Sequence, residues 1–268
     1  MLLIAASHLR FLQPLKQSHC NQELEHFSRI IPSFSAKLSE PMTTYNVHIL
    51  GACSLLILQY SWASLDTIGQ GVNDRSNWVF GDLPGLYSGM RQLGLLALSV
   101  CDPYLTAVVT YRPIHRIMKY LEGSNLPLEL EAFFTHCCQC PSWSRTDSGT
   151  FVHCMDAAQS LIPLISTLKI DRCSLETSGL IPDILRCLFI WPSMRPDEFR
   201  RLIEKEDEVS LVIVLYYYAA VLGLASGKFW WMRERAACTS RLILSRLGTR
   251  CQECTGWAAE ICTKNYSK

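Results

Sequence analysis

The sequence predicts an all-α protein, a multi-helix globular bundle with a central buried helix. Residues 209–225 are apolar on every face of a helix, which is the pattern of a helix enclosed by protein or by lipid. Amphipathic patterns at helical spacing recur along the rest of the chain. The chain has 268 residues and 49% hydrophobic content, which is enough for one large core or two small ones.

The apolar helix belongs to residues 188–231, which we interpret as a helix hairpin. Pro196 disfavours helical geometry at Arg195, but it suits the first position of a helix. Asp197 and Glu198 follow where the positive end of the helix dipole favours carboxylates. A helix is therefore predicted to begin at Pro196.

The length of the apolar run favours protein over lipid as its surroundings. Residues 211–225 would span about 22 Å as a helix, whereas the hydrocarbon core of a bilayer is about 30 Å thick. Trp230 and Trp231, next to Lys228 and Arg233, would suit a membrane interface, so a membrane span is kept as an alternative. We prefer the central helix of a soluble bundle.

The other elements are predicted from periodicity and from helix-breaking residues. Further helices are expected at residues 2–15, 21–37 with a break at Pro32, 43–60, 93–100, 106–121 weakened by Pro113, and 126–137. Residues 61–89 read as a loop with one helical turn around Trp78-Val79-Phe80. We assign residues 1–268 to one helical domain with residues 141–150 as its best internal boundary. Because almost nothing precedes the first helix, we expect the N-terminus to be clipped.

Several short segments resemble a known family. They are Phe189-Ile190-Trp191-Pro192, Asp197-Glu198-Phe199, Leu211-Val212-Ile213, Tyr217-Tyr218-Ala219 and Trp230-Trp231. Together they are similar to the C-terminal part of the fungal-specific regulatory domain, which follows the binuclear zinc cluster in transcription factors related to the sterol-uptake regulators. Residues 2–12 and 41–60 resemble early helices of the same domain. Residues 100–178 match it poorly, and residues 207–211 lack its usual Pro-x-Ala-Leu step.

This resemblance implies a regulatory, effector-sensing domain in the nucleus that acts in transcriptional regulation, for example of a metabolic or secondary-metabolite pathway. Members of the sterol-uptake group bind a sterol within this helical body, so a sterol-like apolar ligand is the implied partner, with proteins of the transcription machinery beside it. A homodimer is compatible with this class. The aromatic surface suited to such a ligand consists of Tyr216, Tyr217, Tyr218, Phe229, Trp230 and Trp231. The alternative is a stand-alone accessory protein, nuclear or cytoplasmic, that kept the fold and lost DNA binding.

The charge of the chain argues against DNA binding by this chain alone. The formal net charge is +1 and the isoelectric point is about 7.5. Proteins that bind the phosphate backbone usually present a strongly basic domain or patch. We therefore expect only weak, salt-dependent association with DNA and no sequence preference.

The chain has thirteen cysteines and no secretory signal, which predicts reduced, buried thiols. His136-Cys137-Cys138-x-Cys140 and His153-Cys154 copy three ligands of a zinc finger, but the fourth histidine is absent, and Cys154 would fit only with distorted geometry. Cys251-x-x-Cys254, with Cys262 beyond it, is a weaker pattern. We predict no metal and no cofactor, with zinc at the first pattern as the alternative.

No enzyme signature is convincing. Gly85-x-x-Ser88-Gly89 misses the spacing of a nucleophile elbow by one residue. The lone histidines His8, His48 and His115 are interpreted as packed or surface residues rather than as bases. The acidic residues Glu204, Glu206, Asp207 and Glu208 are interpreted as a solvated turn between helices. The sequence therefore predicts a protein that is not an enzyme.

Overall fold

The computed structural model describes residues 2–64, 79–80, 83–99, 111–143, 148–224 and 229–264. These residues form thirteen α-helices and no strand, so the predicted all-α fold class is confirmed. The first four helices are α1 (Leu2–Leu12), α2 (Gln17–Leu38), α3 (Thr44–Ala63) and α4 (Leu83–Ser99). The remaining helices are α5 (Pro113–Tyr120), α6 (Leu126–Gln139), α7 (Ser148–Leu168), α8 (Arg172–Thr177), α9 (Ile181–Ile190), α10 (Asp197–Glu204), α11 (Glu208–Leu224), α12 (Trp230–Leu247) and α13 (Gln252–Lys264). A 3₁₀ turn, Trp191–Met194, separates α9 from α10.

The chain divides into two compact units. Unit 1 comprises Met1–Leu65 and Asp82–Tyr111, and unit 2 comprises Asp66–Gly81 and Arg112–Lys268. The loop proposed from sequence at residues 141–150 lies inside unit 2, between α6 and α7, which pack against each other. Residues 144–147 of that loop lie outside the described residues, as does Trp78 of the predicted helical turn.

Unit 1 is held together by a buried carboxylate. Glu23 on α2 accepts a hydrogen bond from Ser7 Oγ at 2.6 Å and pairs with Arg10 Nε at 2.7 Å. Arg10 also donates to the carbonyl oxygen of Ala63 at 3.3 Å. Because a buried charge is costly without partners, these contacts stabilise the placement of α1 against α2 and α3.

Two prolines behave differently from the prediction. Pro32 lies within a continuous α2, where it is exposed, so the carbonyl that loses its helical partner can bind water instead. Pro113 does not weaken a helix but begins one, at a position where a missing N–H costs nothing. Residues 106–110, the predicted start of that helix, lie outside the described residues. Helix α3 is capped by Thr43, whose side chain accepts from the Asn46 N–H.

Helix α11 is the centre of unit 2. Its side chains from Val209 to Leu222, together with Leu224, are buried. The helices α7, α9, α10, α12 and α13 all pack against it. An added Cβ at Gly223 would lie 2.5 Å from Leu168 Cδ2, so α11 approaches α7 closely there. The predicted central buried helix is therefore confirmed.

The predicted helix hairpin is wrong in one respect: α10 and α11 meet at 103° rather than running antiparallel. The break falls at Glu206, which adopts the left-handed conformation with φ of 55°. Asp207 then caps α11 by accepting from the Ser210 N–H at 2.8 Å. Glu206 is paired with Arg246 at the end of α12, at 3.1 Å. The acidic cluster is thus a turn between helices that is tied to α12.

Within the described residues, no single helix is long and apolar enough to cross a membrane. Helices α10 and α11 meet the criteria of length and composition only when they are taken together, across their 103° bend.

Candidate functional site

The core of unit 2 contains an aromatic cluster, which we define as Phe80, Trp191, Phe199, Tyr217 and Tyr218. Trp191 lies in the 3₁₀ turn and stacks on Tyr217 with ring centroids 4.7 Å apart. Phe199 on α10 meets Trp191 edge to face at 6.3 Å. The three rings come from three of the segments that resemble the fungal regulatory domain. Segments that are separate in sequence therefore meet in one packed layer.

Phe80 and two tyrosine hydroxyls complete the aromatic cluster. Phe80 lies 6.2 Å from Tyr217 and 6.3 Å from Tyr218. The Tyr217 hydroxyl donates to the Leu188 carbonyl oxygen at 3.0 Å, and the Tyr218 hydroxyl donates to the Val79 carbonyl oxygen at 2.6 Å. Burial raises the pKa of Tyr218 well above its ordinary value, an effect that Arg235 and Thr239 reduce. Both hydroxyls therefore donate hydrogen bonds that tie α11 to neighbouring segments of unit 2.

Arg195 packs against the aromatic cluster, a contact that the sequence analysis did not predict. Its guanidinium lies over the Trp191 ring, 5.0 Å from the centroid, and it is only 6% exposed. It donates to the carbonyl oxygens of Trp191 and Asp156, each at 3.4 Å, and the Asp156 carboxylate lies 3.7 Å away. Burial lowers the pKa of Arg195 to about 10, and Asp156 offsets part of this effect. The cation is held by the ring, two carbonyls and one carboxylate.

Tyr216 packs at a different place from Tyr217 and Tyr218. Its ring is stacked on Trp257 of α13 at 5.4 Å and lies 5.2 Å from both Phe133 and Phe134 of α6. Burial raises the pKa of Tyr216 well above its ordinary value, and the thiols Cys137 and Cys254 add to the rise. Tyr216 therefore joins α6, α11 and α13 beside a group of cysteines.

The other three proposed ligand-binding residues lie at the start of α12. Phe229, Trp230 and Trp231 are all half-buried. Trp231 meets Phe189 of α9 at 5.5 Å with perpendicular rings, and it lies 6.3 Å from Phe229. Residues 225–228, which lead into this junction, lie outside the described residues. The structure thus places the six proposed residues in three neighbourhoods: the aromatic cluster, the Trp257 stack and the α12 start.

A second group of functional side chains in unit 2 is a thiol cluster, which we define as His136, Cys137, Cys140, Cys251 and Cys254. Cys140 follows the last residue of α6, and Cys251 precedes the first residue of α13. Their sulfur atoms are 3.5 Å apart. The donor atoms of His136, Cys140 and Cys254 all lie within 4.8 Å of one another. The two Cys-x-x-Cys segments of the sequence therefore face each other in the fold.

The thiols of the cluster differ in their electrostatics. Burial raises the pKa of Cys137 to about 12, although a hydrogen bond with Cys254 lowers it in part. At Cys140, burial raises the pKa, but hydrogen bonds with Ser142, Cys251 and Cys254 outweigh it and leave the pKa below its ordinary value. The Cys140 thiol therefore ionises more readily than a free cysteine.

The zinc pattern considered from sequence is only half assembled. His136 and Cys140 come together, but within the described residues they converge with Cys254 and not with His153. Cys154, proposed as a substitute ligand, is completely buried on α7, and burial raises its pKa far above the ordinary value. The sequence did not indicate this grouping, because Cys140 and Cys251 are 111 positions apart in the chain.

The residues considered for catalysis all lie on α-helices. Gly85, Ser88 and Gly89 all lie within α4, whereas a nucleophile elbow is a sharp turn between a strand and a helix. His48 and His115 are exposed, as is His8, which packs against Phe11 at 6.3 Å.

The chain matches no family model, no curated protein and no solved structure. The resemblance to the fungal regulatory domain therefore stays a prediction from the sequence, while the all-helical class rests on the structure.

Proposed function

We propose that the chain is the regulatory, effector-sensing domain of a fungal transcription factor, acting in the nucleus. The single observation that carries this proposal is the aromatic cluster. Trp191, Phe199 and Tyr217, which belong to three separate resembling segments, pack on one another at 4.7 Å and 6.3 Å. Residues that pack a shared fold are expected to meet in the core in this way.

The proposed effector is a small apolar ligand of the sterol class. The junction between α9 and α12 is the place we assign to it, because Phe189, Trp230 and Trp231 are large apolar rings that are only partly buried. Such rings offer an apolar face to a ligand, and the two indole rings also carry a polar N–H group. A ligand acts as an effector only if it binds one arrangement of the helices more tightly than another. Movement of α12 against α11 is the change that would supply this difference.

The output of the domain is proposed to be control of a DNA-binding module through protein contacts. The net charge of +1 supports a role in which another module binds the DNA, because it gives this chain no general attraction for DNA. Proteins of the transcription machinery, or a second copy of the chain, are the partners that this role requires.

The test of the ligand site uses two matched variants, Trp230→Phe and Trp231→Phe, with ergosterol as the probe. Trp231 is fixed by ring contacts with Phe189 and Phe229, so its replacement is expected to lower stability by about 1–2 kcal/mol. Trp230→Phe keeps an aromatic ring at the α12 start, and it is expected to lose the change of tryptophan emission caused by ergosterol with a smaller loss of stability than Trp231→Phe. Chemical denaturation and a fluorescence titration measure the two effects. Equal losses of stability, with no emission change in the parent for ergosterol or oleate, would leave both rings as core residues only.

A further inference from the structure

The thiol cluster is not used by the proposed function. It joins the end of α6 to the start of α13, two places that are far apart in the sequence. The thiols of Cys140, Cys251 and Cys254 lie close together. The imidazole of His136 lies beside Cys140 and Cys254. Thiolates and imidazoles in groups of four are the ligands that structural zinc sites use in proteins.

We propose that His136, Cys140, Cys251 and Cys254 bind a structural zinc ion that fastens α13 to α6. The set is of the three-cysteine, one-histidine type. His136 and Cys140 are separated by three residues, and Cys251 and Cys254 by two, which are spacings that structural zinc sites use.

His136, Cys140 and Cys254 place their donor atoms within 4.8 Å of one another, and Cys251 adjoins this group through its contacts with Cys140 and Cys254. With zinc–sulfur bonds of about 2.3 Å, two ligand sulfurs in a tetrahedron lie about 3.8 Å apart. The Cys140 and Cys251 sulfurs are 3.5 Å apart, so only a small outward shift is needed. Formation of a disulfide would instead require an approach to about 2.05 Å. The Cys254 N–H already points at Cys251 Sγ at 3.4 Å, and such N–H donors stabilise a thiolate.

Zinc binding also explains how the thiols are accommodated. The Cys140 and Cys254 residues are buried, where an uncompensated thiolate is costly. A bound Zn²⁺ replaces up to three thiol protons, which pass to water, and its two positive charges offset the thiolates. His136 is half exposed, with 53% of its side chain accessible, so it provides the side of the site that is open to solvent.

The experiment uses the full chain purified with a reductant and without chelator, and its metal content is measured by mass spectrometry. About one zinc per chain is expected, and removal of zinc by a chelator lowers the melting temperature by on the order of 5 °C. Cys251→Ser and His136→Ala are expected to lose most of the zinc. His136 is at the surface, so its variant keeps the proposal testable if the cysteine variant does not fold.

Two control variants define the ligand set. Cys262→Ser removes another completely buried thiol of α13 and is expected to keep its zinc. Cys137→Ser is expected to keep it as well. Loss of zinc from Cys137→Ser but not from His136→Ala would overturn the assigned set in favour of four cysteines. A parent chain without zinc after purification and after incubation with ZnCl₂, or one with a disulfide between Cys140 and Cys251, would overturn the proposal.

Discussion

Val214→Lys is expected to destabilise the chain by about 3 kcal/mol or more, since it places an unpaired ammonium group inside a closed core. Val214 has no exposed surface, and it lies in the middle of α11, which five other helices of unit 2 cover. A lysine at this depth must either stay charged without a partner or give up its proton. Either outcome lowers the free energy of unfolding. Urea denaturation and thermal melting in detergent-free buffer measure the loss.

Val152→Lys is the matched control for this variant. Val152 is a valine in α7 with 61% of its surface exposed, so the same substitution there leaves the ammonium group in water. Its effect is expected to stay within about 0.5 kcal/mol. A melting temperature of Val214→Lys within about 2 °C of the parent would show that α11 is not enclosed by protein.

Trp191→Ala is expected to cost about 3–5 kcal/mol, the range for removing a large buried aromatic side chain. The loss includes the stack on Tyr217, the edge contact with Phe199 and the hydrogen bond from Trp191 Nε1 to Ser160 Oγ at 2.9 Å. It also leaves the Arg195 guanidinium without the ring beneath it. Unit 2 is therefore expected to lose cooperativity as well as stability, which urea denaturation followed by circular dichroism detects.

The variant Trp191→Phe separates packing from the polar contacts. Phenylalanine keeps an aromatic ring against Tyr217 but cannot donate to Ser160, so a smaller loss of about 1–2 kcal/mol is expected. If Trp191→Ala unfolded at nearly the same urea concentration as the parent, the aromatic cluster would not be the core of unit 2.

The central helix could be predicted from sequence because burial on all sides leaves a local signal. Residues 209–224 carry no charge, and a helix that is apolar on every face must be enclosed, while the length of this run favoured protein over lipid. The bend before it could not be predicted with the same ease. Glu206 adopts a positive φ, which a glutamate in a sequence does not predict. The turn is also stabilised by Arg246, which is forty positions away.

The proposed ligand-binding residues show a second limit of prediction from sequence: residue type alone does not say which surface a side chain faces. Successive residues of a helix point about 100° apart, so Tyr216, Tyr217 and Tyr218 cannot face one common surface. In the structure, Tyr216 stacks on Trp257, whereas Tyr217 stacks on Trp191. The aromatic composition of this segment therefore did not predict the separate neighbours of the three rings.

The thiol cluster was missed because its halves are separated by 111 positions. Each Cys-x-x-Cys segment on its own is a weak signal, since two thiols cannot complete a tetrahedral site. One signal in the sequence could have indicated a shared site. Both pairs fall at helix ends, where the chain reverses and two ends can meet. Only the placement of α13 beside the end of α6 brings the two Cys-x-x-Cys pairs together.

Control of a DNA-binding module by this helical body is tested most directly by a reporter experiment in fungal cells. The full chain is fused to an unrelated DNA-binding module, and reporter output is compared before and after depletion of cellular sterol. The fusion is expected to change its output at least about fivefold, and a fusion that carries Trp230→Phe is expected to lose that response. An output equal to that of the DNA-binding module alone, unchanged by sterol depletion, would contradict a regulatory role and favour the stand-alone accessory protein.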